Sequence, residues 1–191
     1  MGFTRDELAR FEGASVPDLV GDGVRLLFVG INPGLWTAAT QTHFSHPGNR
    51  FYPALARAGI FERPIDRASG MTDDDRAAFT AAGLGITNLV NRATARASQL
   101  ADQELRDGRI ALEALVATWH PAVVAIAGVT AYRTAFGRRK AGLGRQEELL
   151  AGAALWVVPN PSGLNAHDTI DSLAAAYRAP AEVAGIVTPV G

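Results

Sequence analysis

Two Asn-Pro turns, each directly after an apolar run typical of a strand, constrain the fold of this chain more than any other feature. Residues 26–30 (LLFVG) lead into Asn32-Pro33-Gly34, and residues 155–158 (LWVV) lead into Asn160-Pro161. In an open α/β sheet, ligands bind beyond the carboxyl ends of the strands. Two polar strand exits can therefore face each other across one crevice, and the sequence predicts a site there.

Strand-like segments alternate with helical ones along the chain, which favours a mainly parallel sheet with helices on both faces. We therefore predict an α/β fold, a three-layer sandwich around a short, mainly parallel four-stranded sheet. The predicted strands cover 25–30, 86–90, 123–127 and 155–158, and the predicted helices cover 49–58, 102–119, 130–136 and 169–177, with another starting after Thr72. We expect one domain over 1–191, with a core at about 24–177 and a loose tail from Pro180.

Composition excludes several function classes. The chain has no cysteine, which rules out disulfides, thiolate catalysis and cysteine-ligated clusters. No apolar run approaches the roughly 20 residues of a membrane span, and the charged start does not read as a signal peptide, so we expect a cytoplasmic protein. The net charge of −1 does not by itself indicate nucleic-acid binding. Local basic clusters at 92–96 and 138–145 fit solvated loops and phosphate contacts equally well.

Three motifs in order carry a resemblance to a known family. They are GINPGL at 30–35 with FSHPGNRFY at 44–52, GITNLVNR at 85–92, and NPSGL at 160–164. Together they closely resemble the mismatch-specific uracil-DNA glycosylase and thymine-DNA glycosylase family of the uracil-DNA glycosylase superfamily. The resemblance spans about 24–177, and it implies the three-layer fold of those enzymes.

The resemblance implies a DNA glycosylase that excises uracil, and related modified pyrimidines, from mismatched double-stranded DNA. Such an enzyme flips the nucleotide out of the stack, hydrolyses the N-glycosidic bond and leaves an abasic site for base excision repair. Its partner is double-stranded DNA, and we expect a monomer without cofactor, metal or membrane contact. A bifunctional route needs an amine nucleophile, and the only lysine, Lys140, lies away from both turns. The sequence therefore favours a monofunctional enzyme.

Matching the motifs residue by residue assigns roles around the flipped base. By resemblance Asn32 orients the attacking water, and the backbone near Ile31 binds the edge of the base. Phe44 matches the aromatic residue that stacks on the base, and Asn88 matches a residue that reads the pyrimidine edge, as in the thymine-processing branch. Thr37 matches a position close to the base, where its bulk limits what fits at C5.

The second turn matches the loop that enters the duplex and fills the space left by the flipped nucleotide. We call residues 162–165 the wedge loop. The residues expected to contact DNA are Ser162, Gly163, Leu164, Asn165 and Arg92. Some relatives carry an arginine two positions after the wedge, where this chain has Ala166, which leaves the opposite-base preference open.

The loop at 91–94 lies just beyond a strand end, where some relatives carry an acid and this chain has none. Either the enzyme works without a carboxylate, or an acid has been replaced, with Ala93 as the predicted site of the missing catalytic group. A chain without efficient turnover gives the alternative function, a module that binds damaged bases in DNA.

Overall fold

The computed structural model describes residues 2–189. Its helices and strands, in chain order, are α1 (Arg5–Ala9), β1 (Leu26–Gly30), α2 (Leu35–Thr40), α3 (Phe51–Arg57), α4 (Asp73–Ala81), β2 (Leu84–Asn88), a short 3-10 helix (Ala97–Gln99), α5 (Asp102–Trp119), β3 (Val123–Ala127), α6 (Val129–Phe136), β4 (Gly144–Leu150), β5 (Ala153–Val158) and α7 (Ile170–Val183).

One sheet of five strands, in the order β2-β1-β3-β5-β4, forms the middle layer. The β1/β2, β1/β3 and β3/β5 pairs are parallel, and β4/β5 is antiparallel. The predicted α/β fold is confirmed, but the predicted count of four strands is wrong. The missed strand, β4, is a sheet edge whose sequence GRQEELL alternates between half-buried and exposed residues over most of its length, so it contains no apolar run of the kind that marks the other strands.

Alternate residues of β1 feed two separate cores, as the period of a strand requires. Leu26 and Phe28 pack with helices α3, α4 and α7 on one face of the sheet. Leu27 and Val29 pack with α5 and α6 on the other face. A strand covered on both faces must be apolar at every position, and all five residues of β1 are buried. The predicted three-layer arrangement is thereby confirmed.

Helix ends follow the predicted capping in one place and differ from prediction in another. Thr72 caps α4, because its hydroxyl accepts from the Asp75 amide at 3.2 Å while Asp75 accepts from the Thr72 amide at 2.9 Å. Helix α7 continues beyond the predicted end at Tyr177 to Val183, and Pro180 and Ala181 are buried. The stretch predicted to begin a loose tail therefore starts as packed helix.

Four parallel strands end at the same edge of the sheet, at Gly30, Asn88, Ala127 and Val158. Strand β2 covers Leu84–Asn88, two residues earlier than predicted, which makes Asn88 its last residue. The segments after these strands therefore start side by side. Among the described helices, none combines the length and the apolar character needed to cross a membrane.

Candidate active site

A cavity of about 910 Å³ opens at this edge of the sheet, within the size range of small-molecule sites. Both Asn-Pro turns line it, as predicted from their position after the strands. Of the residues singled out by sequence, those that line the cavity are Ile31, Asn32, Thr37, Phe44, Asn88, Ser162, Gly163, Leu164 and Asn165. The structure thus brings together the groups expected around the base and those expected in the wedge loop.

The carboxamide of Asn32 is held by its nitrogen. Its two N–H groups are shared among three acceptors around Nδ2, the carbonyl oxygens of Pro33 at 3.1 Å and Arg92 at 2.8 Å and the Thr94 hydroxyl at 2.8 Å. Carbonyl oxygens only accept, so these contacts fix which end of the amide is the NH2 group. The Oδ1 atom accepts no hydrogen bond from residues 2–189 and is not buried, so it can accept one from a water molecule in the cavity that Asn32 lines.

Thr94 is a site residue that the sequence reasoning did not identify as functional. Its hydroxyl accepts from Asn32 and donates to the Arg96 carbonyl oxygen at 2.9 Å, so the direction of both bonds is set. Its amide donates to the Pro33 carbonyl oxygen at 3.1 Å, which ties the 91–94 loop to the first Asn-Pro turn. Only the position of Thr94 just after a strand end hinted at such a role.

Phe44 lies in the cavity wall with its ring stacked on Phe51, the centroids 4.1 Å apart and the planes 24° apart. Phe51 is itself buried against Phe28 and Tyr177, so the Phe44 ring has a rigid support. The backbone of Phe44 is left-handed, with φ of 55°, which costs roughly 1–2 kcal/mol for a residue with a side chain. The chain accepts this conformation where the ring is presented to the cavity.

Asn88 is oriented by a buried histidine. Asn88 Nδ2 lies 3.1 Å from His43 Nδ1, and His43 Nε2 lies 2.9 Å from the Pro17 carbonyl oxygen. Because that carbonyl can only accept, the proton of the neutral ring sits on Nε2, and Nδ1 accepts from Asn88. Asn88 therefore keeps its Oδ1 acceptor and one N–H for another partner.

Burial disfavours the protonated form of His43. Loss of solvent is the main cause that lowers the pKa of His43 below its ordinary value, and the bond to Pro17 opposes this only in part. Both ring nitrogens of His43 are engaged within the protein, so neither is free to bind a metal ion. No group of three or more His, Asp or Glu side chains suited to a metal ion occurs within residues 2–189.

The floor of the cavity is crowded at Gly30. A methyl group there would lie 2.4 Å from Asn88 Oδ1 and 3.3 Å from the Phe44 ring. Ile31 follows, and its carbonyl oxygen accepts from the Val90 amide at 3.0 Å, which joins the exits of β1 and β2. Thr37 on α2 is buried, with its hydroxyl 3.4 Å from the Ser45 carbonyl oxygen. These contacts define a close-packed end to the cavity.

The wedge loop is folded on itself and presents one apolar side chain. Asn160 Oδ1 accepts from the Ser162 amide at 3.0 Å, and Asn165 Nδ2 donates to the Asn160 carbonyl oxygen at 3.0 Å. Leu164 at the tip is 88% exposed, more than any other large apolar residue in the described part of the chain. Gly163 lies against the main chain of Gly48, and both residues line the cavity.

Two of the predicted site residues do not face the cavity. Ala93 is 0% exposed and packs with Val16 and Ala38 in a small apolar cluster, so its side chain points away from the site at which we expected a missing acid. Arg92 pairs with Glu104, Nε to Oε1 at 2.9 Å and Nη2 to Oε2 at 3.0 Å. Its side chain is thereby occupied, and it is its carbonyl oxygen that contributes, through Asn32.

The lining of the cavity includes the guanidinium of Arg96 and no carboxylate among the described residues. The other basic cluster, with Arg139, Lys140 and Arg145, lies in a separate groove at the β4 edge. Lys140 does not line the cavity that contains Asn32. The site is built to position and polarise rather than to supply a strong base.

Two comparisons with known proteins concern the family and the fold. The profile of the Uracil DNA glycosylase superfamily matches residues 17–180. The fold is similar to a solution NMR structure of a candidate uracil DNA glycosylase from Methanosarcina acetivorans, with a TM-score of 0.57 and 18% sequence identity. The match covers 86% of this chain and 96% of that chain. At this identity the second likeness concerns the fold alone.

Proposed function

Since the chain belongs to the uracil DNA glycosylase superfamily, whose members hydrolyse N-glycosyl bonds, we propose that it is a monofunctional glycosylase that removes uracil from double-stranded DNA. The observation that carries this proposal is the anchored carboxamide of Asn32. Three acceptors hold its nitrogen, so its oxygen is fixed at the cavity. An oriented acceptor next to a stacking ring is the arrangement that water attack on a flipped nucleotide requires.

In the proposed reaction a water held by Asn32 Oδ1 attacks C1′ of the flipped deoxyuridine. The C1′–N1 bond breaks and its electron pair leaves with the base, while the water oxygen becomes the hydroxyl of the abasic sugar. An amide is too weak a base to take the proton, which passes to solvent or to the departing base. The contribution of Asn32 is therefore position, and the rate depends on how well its side chain is held.

The base is held by Phe44 on one face and by Asn88 at its edge. One face of the Phe44 ring stacks on Phe51, so a base that stacks on the opposite face would form a continuous stack of three rings. Asn88 offers an acceptor and a donor, which suits a pyrimidine edge that presents both N3–H and a carbonyl. Because a matched donor and acceptor reject an isostere strongly, Asn88 gives uracil its preference over cytosine.

We further propose that the preferred substrate is a mismatched pair, as in the thymine-processing branch that the motifs resemble. The wedge loop supports this, because Leu164 can enter the stack and offset part of the unstacking cost, which is a few kcal/mol. A mismatched uracil is less costly to extrude than a paired one. Thr37, buried at the cavity wall, sets how much bulk is tolerated at C5.

A second candidate function, recognition of damaged bases with little turnover, is favoured by the lack of a carboxylate among the described lining residues. Both functions require base flipping, but only the glycosylase leaves an abasic site. Turnover therefore separates the two candidates.

The test is an excision assay on duplexes with uracil opposite guanine or adenine, followed by alkaline cleavage of the abasic product. We expect cleavage with the protein and its loss with Asn32→Ala, while DNA affinity stays within about twofold. Arg57→Lys, on an exposed surface, is the matched control. Full activity of Asn32→Ala would remove Asn32 from its role, and borohydride trapping of a covalent DNA adduct would contradict a monofunctional reaction.

A further inference from the structure

Among the described residues outside 160–169, Arg50, just before α3, is the residue whose side chain hydrogen-bonds the wedge loop. Its guanidinium donates to the carbonyl oxygens of Ser162 at 2.7 Å and Asn165 at 2.5 Å, and also to that of Asp168. Its main-chain amide donates to the Pro161 carbonyl oxygen at 3.0 Å. One arginine thus contacts four main-chain oxygens along the loop and the residues that flank it.

The charge of Arg50 has no acidic partner among the described residues. It forms no ion pair, and its Nε atom is buried without a hydrogen bond in the part of the chain that the structure describes. The nearby Asp168 carboxylate is engaged elsewhere, by Asn165 Nδ2 at 2.7 Å and the Ser172 hydroxyl at 3.0 Å. Arg50 is half-buried, and its guanidinium nitrogens other than Nε bind main-chain oxygens of the loop instead of a carboxylate. These contacts point to a role in the geometry of the loop.

The main chain of Gly48 also supports the wedge loop, at Gly163. The segment before α3 meets the loop so tightly that a methyl group on Gly163 would lie 2.7 Å from the Gly48 carbonyl oxygen. Because that neighbour is backbone, it cannot move aside at low cost. The loop therefore rests on two supports, the guanidinium of Arg50 and the main chain of Gly48.

We propose that Arg50 is a positioning residue for base flipping, which holds the wedge loop in place so that Leu164 is aimed at the duplex before DNA arrives. This inference rests on the proposed function. Arg50 acts through main-chain oxygens and touches neither the base nor the water. A loop ordered in advance loses little conformational freedom on entering the stack, which lowers the cost of opening the pair. The benefit applies only where a pair must be opened.

That restriction defines the experiment. Two duplexes carry 2′-fluoro-2′-deoxyuridine, which resists hydrolysis, beside a 2-aminopurine reporter whose emission rises on unstacking. In one the uracil pairs with guanine, and in the other it lies in a three-base bubble that is already open. Arg50→Lys keeps the charge but lacks the planar fork, so it separates charge from geometry.

We expect Arg50→Lys to weaken extrusion from the paired duplex by about 10- to 100-fold, the scale of a misplacement near 1 Å, and from the bubble by less than about twofold. Gly163→Ala, which leaves Arg50 intact but blocks the contact with Gly48, should give the same pattern. Leu164→Ala should do so too, and adding Arg50→Lys to it should cause no further loss. Arg57→Lys, on the same helix and paired with Asp171 at 2.7 Å, is the control.

Equal losses on both duplexes would overturn the inference, because they would place Arg50 in the pocket or in the fold at large. An unaffected Arg50→Lys protein would overturn it as well. If Arg50→Lys does not fold, the Gly163→Ala pattern decides between these outcomes. A wild-type protein that raises emission on neither duplex would refute the proposed function itself. A protein that raises emission here but leaves ordinary uracil uncut in the alkaline-cleavage assay would refute only the catalytic part.

Discussion

Thr94→Val tests whether the anchored amide controls the rate. The substitution keeps the shape of the side chain but removes the hydroxyl that accepts from Asn32 Nδ2 at 2.8 Å. The carbonyl oxygens of Pro33 and Arg92 remain, so the amide is loosened rather than released. One hydrogen bond contributes about 0.5–1.5 kcal/mol net. If that energy holds the water in place, the single-turnover excision rate should fall between about twofold and tenfold.

Thr94→Ser is the matched control because it retains the hydroxyl, and it should stay within about twofold of the wild-type rate. Loss of the bond to Arg96 also lowers the melting temperature of Thr94→Val, by about 2–4 °C per kcal/mol for a chain of this size. Rates are therefore compared well below the melting temperature. An unchanged rate for Thr94→Val, or an equal loss for Thr94→Ser, would refute the reasoning.

Contacts around the cavity also predict how substitutions at His43, Gly30 and Ala93 affect stability and rate. Burial lowers the pKa of His43 below its ordinary value of about 6.5. The free energy of unfolding and the excision rate should therefore be highest above about pH 6.5, and both should fall as the pH drops through the lowered pKa. His43→Gln can still donate one hydrogen bond and accept one, so it should stay active without this acid-side fall in its pH–rate profile. His43→Leu can do neither and should be slow at every pH. Gly30→Ala should displace Asn88, destabilise the protein by about 1–3 kcal/mol in urea unfolding and slow excision; a wild-type rate would contradict this. Ala93→Asp should lower the free energy of unfolding by about 3 kcal/mol or more in the same assay without raising the rate, because position 93 faces the small apolar cluster; a faster enzyme would reinstate the missing-acid hypothesis.

The sequence predicted the layers of the fold because buried parallel strands are apolar along their whole length. Strand β4 was missed because it is not buried on both sides. An edge strand faces solvent, so its residues can be charged and it need not contain an apolar run. The sequence also gives no sign of the turn between β4 and β5. Ala151 and Gly152 form this turn with φ of 46° and 91°, and alanine is not a residue that predicts a left-handed turn.

The cavity was predicted where the chain makes an abrupt polar turn after a strand. Asn32 and the wedge loop have that mark, and both line the cavity. Ala93 was misplaced because position in a loop does not tell which way a side chain points. Arg92, Ala93 and Thr94 face three different surroundings, namely Glu104, the apolar cluster and Asn32. The link from His43 to Asn88 joins residues 45 positions apart, so nothing local in the sequence signals it.

The side chains around the cavity are supported mainly by peptide oxygens. Pro33 and Arg92 hold Asn32, Pro17 holds His43, and the loop after β5 holds Arg50. A peptide oxygen is present whatever residue occupies its position. Substitutions at 17 and 92 that keep the backbone path should therefore be tolerated, whereas an inserted or deleted residue in 91–94 should not. Evolution can rewrite the supporting residues without compensating changes, and an engineer can do the same as long as the loop lengths are kept.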